Sequence, residues 1–385
     1  MTDILMLITT LTGGGAERVP SELSISLDKR ISRRIILLKN QISYPYDQKP
    51  ISMNLNYTKS SFFSVLYALT TGILKYRKIV KTHNAKVSIS FLVMDNFINI
   101  LSNLFKKRTK VIISVHATLS NKFKDTIIDK IAIIFVKKLY NRADLIIAVS
   151  EGVKEELISM FHLDSQKIKV VYNPLNISQI KFLKEETVDD LFFSDSVPTI
   201  ITMGRLNEVK GQWHLIRAFS KVKSKQKCRL CILGEGPMRP RLEKLISDLN
   251  LKDDILLLGW KTNPYKYINH SSLFVLTSIS EALPYSIIEA MACGCPVIST
   301  DCKYGPSEII GDNKYGILVP PMDSKFCEVA DPLTIEENIL AENIIQILND
   351  ENNMNKYSEL GLKRSMNFDT SKVIDIYEQI FFEDM

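Results

Sequence analysis

The sequence predicts an α/β protein made of two doubly wound domains, each built on a parallel sheet. Apolar runs rich in Val, Ile and Leu alternate with helical patterns in two series, as expected for parallel strands covered by helices on both faces. A polar stretch, residues 184–198, ends at a proline and separates the two series. The 385 residues also exceed what one hydrophobic core usually supports, so more than one domain is expected.

The first series places strands at short apolar runs and helices at segments with 3.6-residue periodicity. The predicted strands are residues 4–10, 33–39, 87–90, 110–116 and 144–150, and the predicted helices are 16–29, 61–83, near 95–105, near 125–142 and 151–161. The alternation ends after the segment 167–176. Residues 1–180 are therefore assigned to an N-terminal domain.

The second series repeats the alternation. Its predicted strands are residues 199–206, 228–234, 254–260, 272–278 and 296–300, and its predicted helices are 211–222, 238–249, 287–294 and segments after residue 335. Residues 181–371 form the predicted C-terminal domain. Residues 372–385 hold a final helix that the sequence assigns to neither domain, a return to the N-terminal domain being one alternative. Two facing sheets of this kind bind ligands in a cleft lined by loops at the carboxyl ends of their strands.

Composition and charge narrow the class of protein. The 45% of hydrophobic and 24% of charged residues are ordinary for a folded chain. No apolar run reaches the ~18 residues of a membrane span, and the first residues lack the features of a signal peptide, so a cytoplasmic protein is expected. Residues 1–180 hold 26 Lys and Arg against 13 Asp and Glu, a net charge of +13, whereas the remainder carries −7. This asymmetry predicts an anionic partner, either nucleic acid, a phosphorylated substrate or anionic lipid.

All six cysteines follow residue 227, and no disulfide framework is expected in a large intracellular protein. Cys228 and Cys231 have the spacing of zinc ligands, but they fall in a predicted strand, where residues three apart point to opposite faces. Buried reduced thiols are the alternative, and we predict no metal site.

Three glycines, Gly13, Gly14 and Gly15, join the first predicted strand to the first helix. Bare backbone at a helix N-terminus lets a phosphate or sugar approach closely. A dinucleotide site would need spaced glycines and an acidic residue after the second strand, but Lys39 and Asn40 stand there. A tight turn that only needs a positive φ remains the alternative.

Two cations, Arg205 and Lys210, follow the first strand of the second series and precede a helix. A guanidinium fork and an ammonium five residues apart across a turn can converge on one diphosphate, helped by helix amides. Two solvated surface cations are the alternative.

Two glutamates, Glu281 and Glu289, flank the start of a predicted helix near Pro284. Both can reach one site only where the loop folds back over the first helical turns. Glu289 lies in an apolar context, so its carboxylate needs hydrogen-bond donors such as the ribose hydroxyls of a nucleoside. Helix capping is the alternative for the pair.

In the motifs that contain these residues, the chain resembles the retaining glycosyltransferases of family four, which have the GT-B fold of two facing Rossmann-like domains around a cleft. The resemblance covers nearly the whole chain and rests on GRLNEVKGQ (204–212), LGEGP (233–237), LGW (258–260), SEALPYSIIEAMACGCPVIST (280–300) and GPSEII (305–310).

The resemblance implies roles for particular residues. Arg205 and Lys210 would hold the donor diphosphate, Glu289 the ribose, and Glu281 would lie by the transferred sugar. The predicted donor-binding residues are Gly13, Gly14, Gly15, Arg205, Lys210, Glu281, Ala282, Leu283, Pro284 and Glu289, and the predicted catalytic residues are Glu281, His116, Arg205 and Lys210.

His116 ends a predicted strand and matches a histidine that the family places beside the sugar. The family's usual acidic neighbour is missing, since Ala117 and Thr118 follow, and a structural histidine is the alternative. Asn173 matches the family's interdomain turn.

The resemblance implies retaining transfer of a hexose or N-acetylhexosamine from a nucleoside diphosphate, with UDP expected, to a glycan of bacterial capsule, O-antigen or related polysaccharide. The chain has no Asp-x-Asp signature, so the two cations are expected to replace a divalent ion, without a cofactor. A UDP-sugar 2-epimerase of the same fold is the rival enzyme. A nucleic-acid-binding protein is the non-enzymatic rival, but no groove-reading motif is present and no nucleic-acid partner is predicted. A degenerate partner subunit is disfavoured because both cations and both glutamates are present.

Residues 58–81 and 121–142 combine aromatic and aliphatic residues with Lys and Arg, as do helices that lie on anionic membranes. Core helices with a solvated basic face are the alternative. We predict peripheral attachment to the inner face of the cell membrane and a polyprenyl-diphosphate-linked acceptor.

Overall fold

The structure is a computed structural model that describes residues 3–58, 61–104, 109–122, 127–188, 190–193 and 197–382. It groups the chain into two compact units. Unit 1 comprises Met1–Leu175 and Thr370–Met385, and unit 2 comprises Asn176–Asp369. The division thus falls five residues before the predicted one, and the stretch predicted as a linker belongs to unit 2. Residues 189 and 194–196 of that stretch lie outside the described residues.

Unit 1 is built on a seven-stranded parallel sheet with the order β3-β2-β1-β4-β5-β6-β7. Its strands are β1 (Ile4–Ile8), β2 (Arg33–Leu37), β3 (Ile51–Ser52), β4 (Val87–Ser90), β5 (Lys110–Val115), β6 (Leu145–Ala148) and β7 (Ile168–Val170). Every residue of β1, β4 and β6 is buried, since helices cover both faces. The predicted parallel sheet is confirmed.

The helices of unit 1 pack on the two faces of this sheet. They are α1 (Gly15–Ser26), α2 (Phe62–His83), α3 (Val93–Asn103), α4 (Leu119–Lys122), α5 (Ile127–Leu139), α6 (Glu151–Ser159) and α15 (Thr370–Phe382). Met6 belongs to the same buried cluster as Leu23 of α1 and Tyr377 of α15, whereas its neighbour Leu5 belongs to a second cluster with Tyr76 of α2. Because successive strand residues point to opposite faces, α1 and α15 cover one face and α2 covers the other. Residues 105, 125 and 126 of the predicted helices lie outside the described residues.

The C-terminal helix α15 belongs to unit 1. Its apolar side chains join the core of β1 and β2, the buried ones being Val373, Ile374, Tyr377, Ile380 and Phe381. Glu378 accepts a 2.8 Å hydrogen bond from the backbone N–H of Asp28, and Lys110 Nζ donates to the carbonyl of Ile380 at 2.9 Å. The last helix therefore completes a core that begins with the first strand.

Unit 2 is built on a six-stranded parallel sheet with the order β10-β9-β8-β11-β12-β13. Its strands are β8 (Thr199–Met203), β9 (Arg229–Leu233), β10 (Ile255–Gly259), β11 (Leu273–Leu276), β12 (Val297–Thr300) and β13 (Ile317–Val319). Its helices are α7 (Ile177–Leu183), α8 (Gln212–Lys225), α9 (Arg239–Asp248), α10 (Tyr265–Asn269), α11 (Tyr285–Cys293), α12 (Pro306–Ile310), α13 (Ile335–Leu348) and α14 (Glu351–Ser365).

A buried ionic cluster ties α8 to α13 in unit 2. Glu337 accepts hydrogen bonds from Arg217 Nε at 2.9 and 3.1 Å and lies 2.8 Å from His214 Nδ1. Burial alone would raise the pKa of Glu337, but the hydrogen bonds from His214 and Arg217 hold that pKa below its usual value. Arg217 also donates to carbonyls of the segment before α13, at Glu328 and Pro332, so it fixes that segment as well.

The shortest strands and helices were not predicted from the sequence. β3 and β13 have two and three residues, and α10 and α12 have five each, too few for a periodic pattern. Several predicted strands also end earlier than expected, as β1 does at Ile8 rather than residue 10. The residues that were predicted as strand but lie beyond its end form the loops at the carboxyl edge of the sheet. Among the described residues, no helix has both the length and the apolar character that crossing a bilayer requires.

Candidate active site

The basic loop after β8 is fixed by close backbone packing at the carboxyl edge of the unit 2 sheet. The N–H of Leu206 donates to the carbonyl of Glu235, in the loop after β9, at 3.0 Å. Gly234 has a φ of +134°, and a Cβ on it would lie 2.0 Å from the carbonyl oxygen of Gly204. Only glycine allows this approach, so the LGEGP turn and the GRLNEVKGQ loop are packed as one platform.

The two predicted cations of this loop have different surroundings. Arg205 is exposed, and its guanidinium makes no hydrogen bond or ion pair within the part of the chain that the structure describes. Lys210 ends a short 3-10 turn, Glu208–Lys210, and its side chain is only 23% exposed. Lys210 is therefore not a solvated surface cation, whereas Arg205 is exposed, as the alternative of a surface cation expects.

Lys210 contacts Glu281, so the structure brings two predicted site residues together. Lys210 Nζ lies 2.5 Å from Glu281 Oε1, and the same oxygen accepts a 2.7 Å hydrogen bond from Ser278 Oγ. Thr300, at the end of β12, donates to the carbonyl of Ser278 at 2.6 Å. The carboxylate of Glu281 is thus held from two sides, and Ser278 is a site residue that the sequence analysis missed.

Glu289 lies in the middle of α11 and is buried, 7% exposed. Its Oε1 accepts a 2.9 Å hydrogen bond from the hydroxyl of Tyr265, which is itself buried on α10. The apolar context of Glu289 predicts that its carboxylate needs a donor, but it does not indicate that Tyr265 is this donor. No local pattern could identify it, since the two residues are 24 positions apart.

The loop before α11 is packed rather than open. Ala282, Leu283 and Pro284 are buried, and Pro284 is the residue immediately before the first helical residue. Gly305 packs against this loop so closely that a Cβ would lie 2.8 Å from Pro284 Cδ and 2.9 Å from the carbonyl oxygen of Ala282. The GPSEII motif therefore supports the loop that carries Glu281.

In unit 1, the glycine turn after β1 is capped by a glutamate. Glu17 accepts hydrogen bonds from the N–H of Gly14 at 2.9 Å and from the hydroxyls of Thr10 and Thr12. Gly13, Gly14 and Gly15 all have φ outside the positive range, so the alternative of a turn that needs positive φ is wrong. The amide of Gly14 is occupied by Glu17, and an incoming phosphate would have to compete with that carboxylate.

His116 follows β5 at the carboxyl edge of the unit 1 sheet. Its Nε2 lies 2.8 Å from Ser114 Oγ, and its ring packs beside that of Phe91. Loss of hydration inside the protein lowers the pKa of His116 to about 3, against a smaller opposing effect from Asn173. The imidazole is therefore neutral at physiological pH and is suited to hydrogen bonding rather than to proton transfer.

The segment after His116 is held by Glu156, which the sequence analysis missed. Glu156 is fully buried on α6, and its Oε2 accepts a 2.7 Å hydrogen bond from the N–H of Leu119, while Oε1 accepts from the hydroxyl of Ser120. The signal was available, because Glu156 lies on the apolar stripe between Val153 and Leu157.

All six cysteines are buried as free thiols. Cys228 and Cys231 are buried free thiols, and burial raises the pKa of Cys228 to about 11. Within the described residues, no three His, Cys, Asp or Glu side chains are grouped as metal ligands.

Solved structures show the fold. HepE of Anabaena, in complex with UDP and glucose, matches with a TM-score of 0.78 and 18% identity over 100% of each chain. The apo form of the lipopolysaccharide outer core galactosyltransferase WaaB matches with a TM-score of 0.74 and 18% identity, also over 100% of each chain. Together with the two parallel-sheet units, these likenesses confirm the predicted GT-B fold.

Sequence comparison defines the family. A model described as Glycosyltransferase Family 4 matches residues 13–179, and one described as Glycosyl transferases group 1 matches residues 184–364. An uncharacterised glycosyltransferase of Methanocaldococcus jannaschii is 38% identical over 318 residues, 77% of each chain. The N-acetylgalactosamine-N,N'-diacetylbacillosaminyl-diphospho-undecaprenol 4-alpha-N-acetylgalactosaminyltransferase of Campylobacter jejuni is 31% identical over 380 residues, 97% of each chain. The chain belongs to the family 4 glycosyltransferases of the GT-B fold.

Proposed function

We propose that this glycosyltransferase moves a hexose or N-acetylhexosamine from UDP to a hydroxyl of a lipid-linked glycan, with retention of the anomeric configuration and without a metal ion. The glycan would belong to a bacterial capsule, O-antigen or related polysaccharide. The observation that supports this most strongly is the arrangement in unit 2, where a loop with two cations contacts Glu281, eight residues before the buried Glu289.

These residues fit the demands of the reaction. As the bond between sugar and diphosphate breaks, negative charge grows on the leaving phosphate, and fixed cations stabilise it without reorganisation. Arg205 and Lys210 would supply that charge in place of a divalent ion. Glu289, oriented by Tyr265 through Oε1, would accept hydrogen bonds from the ribose hydroxyls. In a retaining reaction, the acceptor hydroxyl attacks on the face of the leaving group, and a departing phosphate oxygen takes its proton.

A lipid-linked acceptor is supported by the relative from Campylobacter jejuni. Its name gives an undecaprenol diphosphate carrying two sugars as the acceptor and an alpha-linked N-acetylgalactosamine as the group transferred. Because that relative matches over 97% of both chains, we propose an acceptor of the same chemical class here.

Unit 1 exposes a surface that fits an anionic membrane. On α2, Phe63, Tyr67 and Leu74 are exposed, Phe63 by 80%, and the C-terminal half of the same helix exposes Lys75, Arg77, Lys78 and Lys81. On α5, Ile134 and Phe135 are exposed beside Lys137 and Lys138. Residues 59, 60 and 123–126 of the two segments lie outside the described residues. Apolar side chains next to cations match the chemistry of acidic headgroups over acyl chains.

Vesicle co-sedimentation tests the membrane proposal. The protein should bind vesicles of phosphatidylcholine with phosphatidylglycerol, and salt should weaken that binding. Phe63→Ser with Leu74→Ser should reduce it, since both side chains are exposed and their loss should not disturb the core. Ile376→Ser, an exposed apolar residue on the opposite face of the sheet, is the matched control. Equal binding by all three proteins would contradict the proposed surface.

Transfer assays test the reaction. UDP-sugars are supplied with a polyprenyl-diphosphate-linked sugar in buffer with EDTA, the product is identified by mass spectrometry, and its anomeric proton is read by NMR. We expect an alpha-linked product from an alpha-linked donor. Glu289→Gln should lower transfer by about a hundredfold, because a hydrogen-bonded charge at the ribose is lost. Glu243→Gln, an exposed glutamate on α9, is the control. Conversion of the UDP-sugar without acceptor would indicate an epimerase instead.

A further inference from the structure

The carboxylate of Glu281 neutralises one of the two cations at the proposed diphosphate site. Lys210 Nζ lies 2.5 Å from Glu281 Oε1, and the two side chains are only 23% and 12% exposed. Partly buried charges at this distance are screened less than surface pairs. Arg205 has no such partner among the described residues. An anionic ligand would therefore meet an unpaired positive charge at Arg205 and a neutralised one at Lys210.

The structure holds this carboxylate in place by more than its ion pair. Ser278 Oγ donates to Glu281 Oε1 at 2.7 Å, and the carbonyl of Ser278 is in turn fixed by Thr300 Oγ1 at 2.6 Å. Gly211, which follows Lys210, has a φ of +58°, and a Cβ there would lie 2.5 Å from the carbonyl oxygen of Thr277. The turn that ends at Lys210 and the segment before Glu281 are therefore packed on each other. Backbone packing and hydrogen bonds thus hold the Lys210–Glu281 pair in place.

The negative charge of the nucleotide increases as the reaction proceeds. In the donor, the sugar blocks one phosphate oxygen, whereas in the nucleoside diphosphate product that phosphate is a terminal group with a second ionisation near pKa ~6. The product is therefore more negative than the donor at neutral pH. A site with two free cations would hold the product more tightly than the donor and release it slowly.

We propose that Glu281 lowers the affinity of the site for the nucleoside diphosphate product by neutralising Lys210, and so promotes product release. This inference rests on the proposed function, since it assigns Lys210 to the diphosphate. It gives Glu281 an electrostatic role in addition to its proposed position beside the sugar.

Calorimetry with UDP as the probe tests the inference through a double-mutant cycle. Glu281→Gln keeps the shape and can still accept from Ser278, so it should bind UDP about tenfold more tightly than the unmodified protein, while uridine binding stays unchanged. Lys210→Met should weaken UDP binding. In a protein that already carries Lys210→Met, adding Glu281→Gln should not increase the affinity for UDP, because the ammonium group that Glu281 neutralises is absent. Glu243→Gln, an exposed carboxylate on α9 that is also paired with an arginine, Arg239, is the matched control and should leave UDP binding unchanged.

The outcomes separate this inference from the proposed function. If Lys210→Met weakens UDP binding but Glu281→Gln does not strengthen it, the inference is overturned and the diphosphate site stands. If Glu281→Gln tightens binding equally with and without Lys210, the carboxylate acts on the phosphate directly and the role of Lys210 in the inference is overturned. If UDP binds and Lys210→Met has no effect, or if neither UDP nor GDP binds, the diphosphate site fails and the inference fails with it.

Discussion

At the scale of single residues, the site depends on hydrogen-bond partners that orient charged groups. Tyr265 donates to Glu289, Ser278 donates to Glu281, and Glu156 binds the segment after His116. Each partner lies on a different element from the group it orients, or in a loop fixed by another strand. Their hydrogen bonds fix carboxylates that would otherwise adopt several rotamers, so the partners should affect function without touching the substrate.

Removing the Tyr265 hydroxyl should weaken donor binding. Tyr265→Phe deletes one hydrogen bond to a charged carboxylate, a loss of at least ~1.5 kcal/mol, so KM for the UDP-sugar should rise about tenfold while kcat changes less. Steady-state kinetics measure both constants. Tyr267→Phe, the same change two residues further along α10, is the control and should give kinetics like those of the unmodified protein. Equal KM values for all three proteins would remove Tyr265 from the orientation of Glu289.

The neutral state of His116 gives a pH prediction. Its pKa in the fold is about 3, below the ~6.5 of an unfolded histidine, so the unfolded chain takes up a proton as pH falls below ~6.5 and the folded chain does not. The stability contributed by His116 is thus fully present above pH ~6.5 and declines as pH falls toward 3. Urea unfolding at pH 7 and pH 5 should show that decline, and His116→Gln should reduce its size. NMR of the imidazole should show no titration between pH 5 and 8; a midpoint in that range would contradict the assignment.

The sequence predicts most of the charged residues of the site, but few of the residues that orient them by hydrogen bonds. The two cations, Glu281 and His116 follow strands, so their chain position alone places them at carboxyl edges. Glu289 lies in the middle of α11 and is indicated instead by a charge in an apolar context. Tyr265 has no such signal, because its role comes from a contact between two helices. Ser278 follows β11 and lies three residues before Glu281, so its position in the chain did offer that signal. Glu156 could have been found, since a charge on the apolar stripe of a helix requires buried partners.

At the scale of elements, the turn between β8 and α8 determines where Lys210 lies. The turn ends at Gly211, whose positive φ reverses the chain and whose backbone packs directly against the carbonyl of Thr277. Residues with side chains rarely adopt this conformation, and here the carbonyl also excludes a Cβ. The position of the cation thus depends on a residue without a side chain.

Gly211→Ala should therefore disturb both stability and donor binding. The methyl group would lie 2.5 Å from the carbonyl oxygen of Thr277, and we expect a cost of about 1–3 kcal/mol together with weaker UDP binding. Gly204→Ala in the same loop is the control, because its Cβ would lie at an ordinary 3.5 Å from Lys210 and its φ is not positive. Thermal unfolding and calorimetry measure the two effects. A stable Gly211→Ala protein with unchanged UDP affinity would contradict this role of the turn.

Periodicity predicts the longer elements well and fails for the shortest edge strands. The runs that became β1, β4 and β6 are fully buried, which gives the continuous apolar pattern of an interior parallel strand. Strands β3 and β13 lie at the sheet edges and are only two and three residues long, so nothing in their sequence distinguishes them from loops.

At the scale of the whole molecule, the chain returns at its end to the unit in which it begins. Residues 370–382 complete the core of unit 1, although residues 176–369 form unit 2 between them. The sequence left the final helix unassigned, because an amphipathic pattern shows that a helix is buried on one face and does not show against which partner.

The position of α15 predicts that unit 1 can be destabilised from the C-terminus. Tyr377→Ala removes a fully buried ring and should cost about 3–5 kcal/mol, whereas Ile376→Ala, the exposed neighbour, should cost little. Hydrogen exchange read by mass spectrometry should show faster exchange in β1 and β2 and unchanged exchange in β8 and β9. Equal acceleration in both units would contradict separate cores.

The central claim is that unit 2 binds a nucleoside diphosphate at its carboxyl edge. A crystal structure of the protein with UDP tests it most directly. We predict that the diphosphate lies within hydrogen-bond distance of Arg205 and Lys210 and that the ribose hydroxyls donate to Glu289. UDP bound elsewhere, with Glu289 contacting only Tyr265 and protein atoms, would contradict the assignment.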